Sequence, residues 1–272
     1  MLIECVPIHD WGVSFGYGLF ETLRIYNGIP FLLEAHLDRM LDSSRQLGFF
    51  HFPTKETLTR LVDDYVKNNR LVGEAIRLSV TYGSQAKKIT PRVFITHRPV
   101  PYGAADYEQG IATVVSPYRK NEFSPVVNHK TFNQLENILS FPPGGRDIFG
   151  ECIFLNTCGY IAEGSKSNLF FVRDKEILTP SVDCGLLPGV TRRKIIDLLA
   201  RRGIRVREGR CTLEELCESE ECFCSNSLME VLPIVRIGEN PIGNGRPGEL
   251  TRKIMLSYRK CIEKERQALG ES

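Results

Sequence analysis

The sequence predicts an α+β protein of two domains. Three observations carry that reading: two strand-helix-strand segments in the first hundred residues, a Pro/Gly-punctuated stretch from Pro99 to Ala104, and a second half in which short apolar runs surround one amphipathic helix. At 272 residues, with 42% apolar and 25% charged side chains, the chain is long enough and apolar enough to bury two ordinary cores. The boundary is placed so that residues 1–104 form an N-terminal α+β domain and 105–272 a C-terminal one.

From Gly18 to Ile25, GLFETLRI alternates apolar and polar residues as a half-buried strand does, and Asn27-Gly28 marks a tight turn into Ile29 to Leu33. AHLDRMLDSSRQLG then sets Leu37, Met40, Leu41 and Leu47 at helical spacing, with Gly48 as the stop. Arg39 stands one residue before Met40, so it flanks that stripe. A second helix is expected over Lys55 to Lys67, followed by strands at Ala75 to Tyr82 and Arg92 to His97. Beyond the boundary, strands are expected at Ile111 to Val115, Cys152 to Asn156, Asn168 to Val172 and Ile177 to Thr179. Lys130 lies just ahead of a stretch that reads as a helix, and PPGGRD breaks it. Thr191 to Arg202 carries Ile195, Ile196 and Leu199 on one face and ends at Gly203. The C-terminus reads as a polar tail.

Charge and cysteine usage exclude several classes of function. With 35 basic residues against 33 acidic ones there is no electrostatic case for nucleic acid or an anionic membrane, so any anion site must be local. No apolar run approaches the ~18 residues of a membrane helix, and MLIECVPIHDWG lacks the basic start and apolar core of a signal peptide; the expected location is cytoplasmic. Nine cysteines, thinly spread through a long chain without a secretory signal, read as free thiols. Cys222 and Cys224 are spaced by one residue rather than the two of a zinc knuckle, and the five histidines are scattered, so no metal site is expected. There is also no nucleophile elbow, P-loop or full dinucleotide fingerprint.

Four places can carry chemistry. GLLPGVTRR feeds a glycine turn into a helix start, where unpaired backbone N–H groups and the helix dipole favour a dianion and Thr191 can add a hydroxyl; a plain helix cap is the other reading. Arg39 offers a planar fork suited to phosphate, or is a solvated helical charge. Glu163, in YIAEGSKSN, is either a loop cap or a carboxylate buried against a partner. Lys130 is a single amine in a polar segment, where a solvated charge is the commonest outcome.

Taken together, FGYGLFET, AHLDRM, NHKTFNQLEN, GYIAEGSKSNLFFV, GLLPGVTRR and CSNSLMEVLP, in that order, resemble the fold-type IV family of pyridoxal-phosphate enzymes. That family holds the branched-chain and D-amino-acid aminotransferases and 4-amino-4-deoxychorismate lyase, and the likeness runs from about Asp10 to about Ile254. It implies a small N-terminal α/β sandwich, a larger C-terminal α/β barrel-like domain and a homodimer. It also implies pyridoxal 5'-phosphate held as a Schiff base on Lys130, with Lys130 then moving a proton once substrate has displaced it. In the family, residues matching Val190 and Thr191 contact the phosphate, Ser227 of the turn that includes Asn226 adds a hydroxyl, and Arg39 adds charge. The residue matching Glu163 pairs with the pyridine nitrogen, which makes the ring an electron sink. Leu187 matches the apolar residue against the ring face. Tyr17 is a candidate substrate-pocket residue or a core aromatic, and Lys87, beside Lys88 in the loop YGSQAKKIT, matches a substrate-selecting position or is a solvated loop charge.

Local departures favour one branch. Branched-chain aminotransferases usually read Phe-Glu-Gly where this chain has Phe20-Glu21-Thr22, and Gly-Thr-Ala where it has Asn226-Ser227-Leu228. They also carry a tyrosine where Phe149 aligns. D-amino-acid enzymes carry an Arg-x-His element that the Lys87 loop lacks. FGYGLFET, LTPSVDCGLLPGVTRRKII and SNSLMEVLPI are most similar to aminodeoxychorismate lyases, which implies release of pyruvate and 4-aminobenzoate, a step of folate biosynthesis. A class IV aminotransferase acting on branched-chain L-amino acids or D-amino acids is the close alternative, and a non-catalytic cofactor-binding protein the remote one. Relatives also have a strand before the segment matching Ile8 to Asp10, so either the start is misplaced or the first sheet has lost an edge strand.

Overall fold

The computed structural model describes residues 6–84, 90–145 and 148–270. The chain divides into two compact units. The first comprises Met1–Pro101, His129–Gln134 and Ile262–Ser272, so two late segments join it that a single boundary in the sequence does not express.

In the first unit, α1 (Trp11–Ser14) starts on Asp10, whose Oδ1 accepts the Gly12 N–H at 2.7 Å. β1 (Gly18–Tyr26) turns at Asn27-Gly28, both at positive φ, into the short β2 (Ile29–Pro30). Next come α2 (Leu33–Gln46), α3 (Lys55–Asn68, capped by Thr54), β3 (Ala75–Thr81) and β4 (Arg92–Arg98). The sheet is antiparallel in the order β2-β1-β3-β4. Its period-two alternation sends Leu19, Leu23, Ile25, Ile76, Leu78 and Val80 to a face packed with Leu37, Met40, Leu58 and Val62, each almost wholly buried. Burial of each such side chain favours folding by about 1.5–3 kcal/mol. The register aligns Phe20 with Ser79 and Thr22 with Arg77, the residues that alternate with that apolar set.

The second unit comprises Tyr102–Asn128 and Leu135–Cys261. Its elements are α4 (Ala104–Gln109), β5 (Ile111–Lys120), α5 (Leu135–Leu139), β6 (Glu151–Asn156), β7 (Ile161–Gly164), β8 (Asn168–Arg173), β9 (Glu176–Pro180), α6 (Val190–Ala200), β10 (Val206–Gly209), α7 (Leu213–Cys217), β11 (Glu221–Asn226), β12 (Glu230–Ile237) and β13 (Asn240–Pro241), with α8 (Glu249–Gly270) following. The sheet runs β10-β9-β8-β11-β12-β5-β6-β7, with β13 paired to β12. β5 is parallel to both β6 and β12, and β9 to β10; the other pairs are antiparallel. β6, β7 and β8 are buried along nearly their whole length, as strands covered on both faces are.

Two expectations change. The residues after Lys130 do not begin a helix: Thr131 forms an isolated bridge with Leu19, Phe132 lies in a bend, and α5 starts only at Leu135. The polar C-terminal stretch is helical through Gly270, because Ile254, Tyr258 and Ile262, four residues apart, are all buried. Buried Cys152, Cys184, Cys211, Cys222 and Cys224 are free thiols.

Candidate cofactor and active site

Lys130 is fixed by the backbone around it. Phe20 donates its N–H to the Lys130 carbonyl at 3.0 Å, Phe132 donates to Gly18 at 2.9 Å, and Thr131 bridges Leu19, so this short run pairs with the start of β1. Gly18 is required there, since a Cβ would come within 2.6 Å of the Phe132 ring. His129 adds a side-chain tie, Nδ1 to Ser43 Oγ of α2 at 3.0 Å. The Lys130 Nζ then stands 4.6 Å from the Phe20 ring centroid, and the Arg77 guanidinium stacks on the same ring at 3.6 Å.

Arg39 belongs to a buried cluster on the apolar face of β1. Glu21 is in phase with Leu19 and Leu23 and is 1% exposed, a position where a carboxylate survives only with partners. It has them: Arg39 Nε donates to Oε1 at 2.8 Å, Arg39 Nη2 to Oε2 at 2.6 Å, and His36 Nδ1 lies 2.7 Å from Oε2. Burial would raise the Glu21 pKa, but the Arg39 guanidinium and the His36 imidazole overcome this and hold it at about 2. Burial pushes His36 below its ordinary value against the attraction of Glu21, so the ring is neutral and donates from Nδ1.

Tyr17 sits in an aromatic cluster: its ring stacks on Tyr82 at 4.3 Å and meets Phe49 edge-on at 4.7 Å, and its hydroxyl donates to the Leu47 carbonyl. The ring is partly buried against the core of the first unit. Lys87 and Lys88 lie outside the described residues.

In the second unit, Glu163 is the penultimate residue of β7 and is 8% exposed. Its Oε2 accepts the Leu187 N–H at 2.9 Å, so two residues singled out from the sequence meet directly. The Leu186 and Leu187 carbonyls are held in turn by Asn128 Nδ2 at 2.7 Å and Asn168 Nδ2 at 2.9 Å. Lys120, 4% exposed, places its ammonium 3.4 Å from Glu163 Oε1. α6 begins at Val190 with Gly189 as N-cap, with no side-chain cap and no acidic residue in its first turn. A Cβ at Gly189 would fall on Asn168 Oδ1, well inside contact distance. Thr191 is 2% exposed at this uncapped end. Asn226 spends its side chain on its own turn, accepting the Leu228 and Met229 N–H groups at 2.8 Å and donating to Lys166 O, while Ser227 is half-buried beside it.

Residues 18–237 match the family described as amino-transferase class IV. The chain belongs to the class IV aminotransferase family. Aminodeoxychorismate lyase of Bacillus subtilis is 32% identical over 263 residues, covering 93% of this chain and 88% of that protein. D-alanine aminotransferase of Bacillus licheniformis is 30% identical, covering 96% and 94%. Among solved structures, a branched-chain amino acid aminotransferase of Escherichia coli superposes with a TM-score of 0.83 at 29% identity, over 92% of this chain and 87% of that one. The class IV aminotransferase fold, a mixed α/β fold, is thereby established, and the chain is a pyridoxal-phosphate-dependent enzyme of that family.

The donor set of this class IV chain suits that cofactor. An uncapped helix N-terminus without acidic residues, a glycine where no Cβ fits, and a buried Ser225 hydroxyl without a hydrogen-bond partner in the strand register that holds Asn168 are what a phosphate monoester requires. Arg77, Lys120, Glu21 and His36 escaped the sequence reading. Glu21 had a signal, being a carboxylate in phase with the apolar set of its strand, with His36 and Arg39 three residues apart on the next helix. Lys120 had none, for its setting depends on contacts with residues 16 and 43 positions away. Among the described residues no group of histidine, cysteine and carboxylate side chains could hold a metal, and no helix is long and apolar enough to cross a membrane.

Proposed function

We propose that this enzyme is a lyase that converts 4-amino-4-deoxychorismate to 4-aminobenzoate and pyruvate, a cytosolic step of folate biosynthesis. The observation that carries the reading is the 32% identity with a protein named for that activity, over nearly the full length of both chains. When bound, the cofactor supplies an electron sink for a carbanion next to nitrogen. Lys130 Nζ is its attachment point and the group that takes the proton from the substrate carbon bearing nitrogen. The Val190 and Thr191 N–H groups, the Thr191 and Ser227 hydroxyls and the Arg39 guanidinium hold the phosphate, with Glu21 and His36 keeping Arg39 in one orientation. Asn226 shapes the Ser227 turn by accepting the Leu228 and Met229 N–H groups. Glu163 receives the pyridine nitrogen and Leu187 packs the ring. Arg77, whose guanidinium lies over the same Phe20 ring that the Lys130 ammonium approaches, offers a fork for a substrate carboxylate.

The likeness to a D-alanine aminotransferase and to a branched-chain enzyme supports the second reading, a transaminase. The test is direct. Aminodeoxychorismate supplied as sole substrate should yield 4-aminobenzoate and pyruvate in equal amounts. Keto-acid formation from D-alanine or L-leucine that requires a second keto acid, with no 4-aminobenzoate from aminodeoxychorismate, would replace the lyase by the transaminase.

We further propose that the enzyme is a homodimer. Tyr118, Phe123, Leu135, Ile138 and Leu139, close in sequence within the second unit, are each more than half exposed, a density of apolar side chains that a second copy would cover. Light scattering should return twice the chain mass.

A further inference from the structure

Lys120 is unusual on physical grounds alone. Its side chain is 5% exposed, whereas a lysine is almost never buried unless paired. Its ammonium has three oxygen neighbours in the same unit: Glu136 Oε1 at 2.5 Å, Asn137 Oδ1 at 3.0 Å and Glu163 Oε1 at 3.4 Å, and it stands 4.8 Å from the Phe154 ring centroid. Glu136 and Asn137 lie on α5, so Lys120 links that helix to the end of β7. Glu136 is half exposed, so water solvates its charge; Glu163 is largely buried and depends on nearby donors. Both Glu163 oxygens are engaged, Oε2 by the Leu187 N–H and Oε1 by Lys120. A carboxylate held at both oxygens is fixed in rotation about its last bond and stabilised in the charged form.

We propose that Lys120 is a positioning residue: anchored by Glu136 and Asn137, its ammonium aims Glu163 and keeps it anionic, so that Glu163 can hold the pyridine nitrogen of the cofactor. The inference rests on the reading of Glu163 given above. Lys120 touches neither substrate nor cofactor in this scheme; it acts through Glu163. Removing it takes away the ammonium that faces Oε1 of a largely buried carboxylate, and the loss falls on whatever that carboxylate binds.

The test is the affinity of the cofactor-stripped protein for pyridoxal 5'-phosphate, measured by equilibrium dialysis on wild type, Lys120→Met, Lys120→Arg, Glu163→Gln and the double variant Lys120→Met/Glu163→Gln. Lys120→Met should weaken binding by about tenfold, the loss of one charge-assisted contact. Lys120→Arg, which keeps the charge, should recover most of that. In the Glu163→Gln background Lys120→Met should have almost no further effect, an outcome that a general packing defect would not produce. The pH dependence of the bound cofactor's visible absorbance should shift in Lys120→Met and stay near wild type in Lys120→Arg. If Lys120→Met does not fold, Lys120→Gln carries the same comparison. Unchanged affinity in Lys120→Met, or an equal loss with and without Glu163, overturns the inference while leaving the role of Glu163 intact. Unchanged affinity in Glu163→Gln defeats the reading of Glu163 and this inference with it.

Discussion

Replacing Glu21 by glutamine probes the buried cluster that orients Arg39, and its cost follows from the structure. The carboxyl falls from 4.5 to about 2 on folding because Arg39 and His36 face it in a site closed to water. A group whose folded pKa is depressed contributes stability above its unfolded value, and that stability is lost as pH falls through the folded one. The difference of about 2.5 units, at about 1.36 kcal/mol each, gives about 3 kcal/mol at neutral pH, declining to about 2 kcal/mol near pH 3.5. Burial of neutral His36 acts in the same sense, because the unfolded ring takes up its proton first as pH falls through the ordinary histidine range. Glutamine keeps the shape but removes the carboxylate charge that faces Arg39. Urea unfolding of the cofactor-stripped protein measures both effects without a contribution from ligand binding. Wild type should exceed Glu21→Gln by about 3 kcal/mol near pH 7, and the gap should narrow on acidification. A gap near zero at neutral pH, or one that widens as pH falls, would refute the assignment of Glu21 as an anion held by Arg39 and His36.

Other perturbations have equally definite outcomes. Gly189→Ala puts a methyl group on Asn168 Oδ1, and Asn168 holds the Leu187 carbonyl whose own N–H holds Glu163; the variant should lose about 1–3 kcal/mol in thermal unfolding and bind pyridoxal 5'-phosphate more weakly, and wild-type affinity would contradict the geometry at the α6 start. Tyr258→Ala empties a fully buried position of α8 and should cost about 3–5 kcal/mol in urea unfolding, whereas a loss under about 1 kcal/mol would mean that the C-terminal helix contributes little.

Much of the first unit was legible because its signals are local. The alternation of GLFETLRI, the Asn27-Gly28 turn and the stripe of Leu37 and Met40 each lie within one element, and the observed β1 and α2 end within two residues of the expected bounds. The C-terminal helix was hidden because its charged residues outnumber Ile254, Tyr258 and Ile262, whose spacing matters only once a core receives them. The pairing of the Lys130 segment with the start of β1 was hidden for a related reason. Its pairing partner, β1, lies more than a hundred residues earlier, and such pairing overrides local helix preference. Glu163 shows the limit of reading one residue at a time. Neighbouring sequence pointed to it as a site, yet the lysine and the backbone N–H that fix it come from β5 and from the turn before α6.

Lys130 is the proposed attachment point of the cofactor. Borohydride reduction of the purified, cofactor-reconstituted protein, followed by peptide mass mapping, tests this most directly. A phosphopyridoxyl group on the peptide that contains Lys130, absent from the Lys130→Ala variant, is the predicted result. The same group on a different lysine of the wild-type protein, or on none, would contradict it.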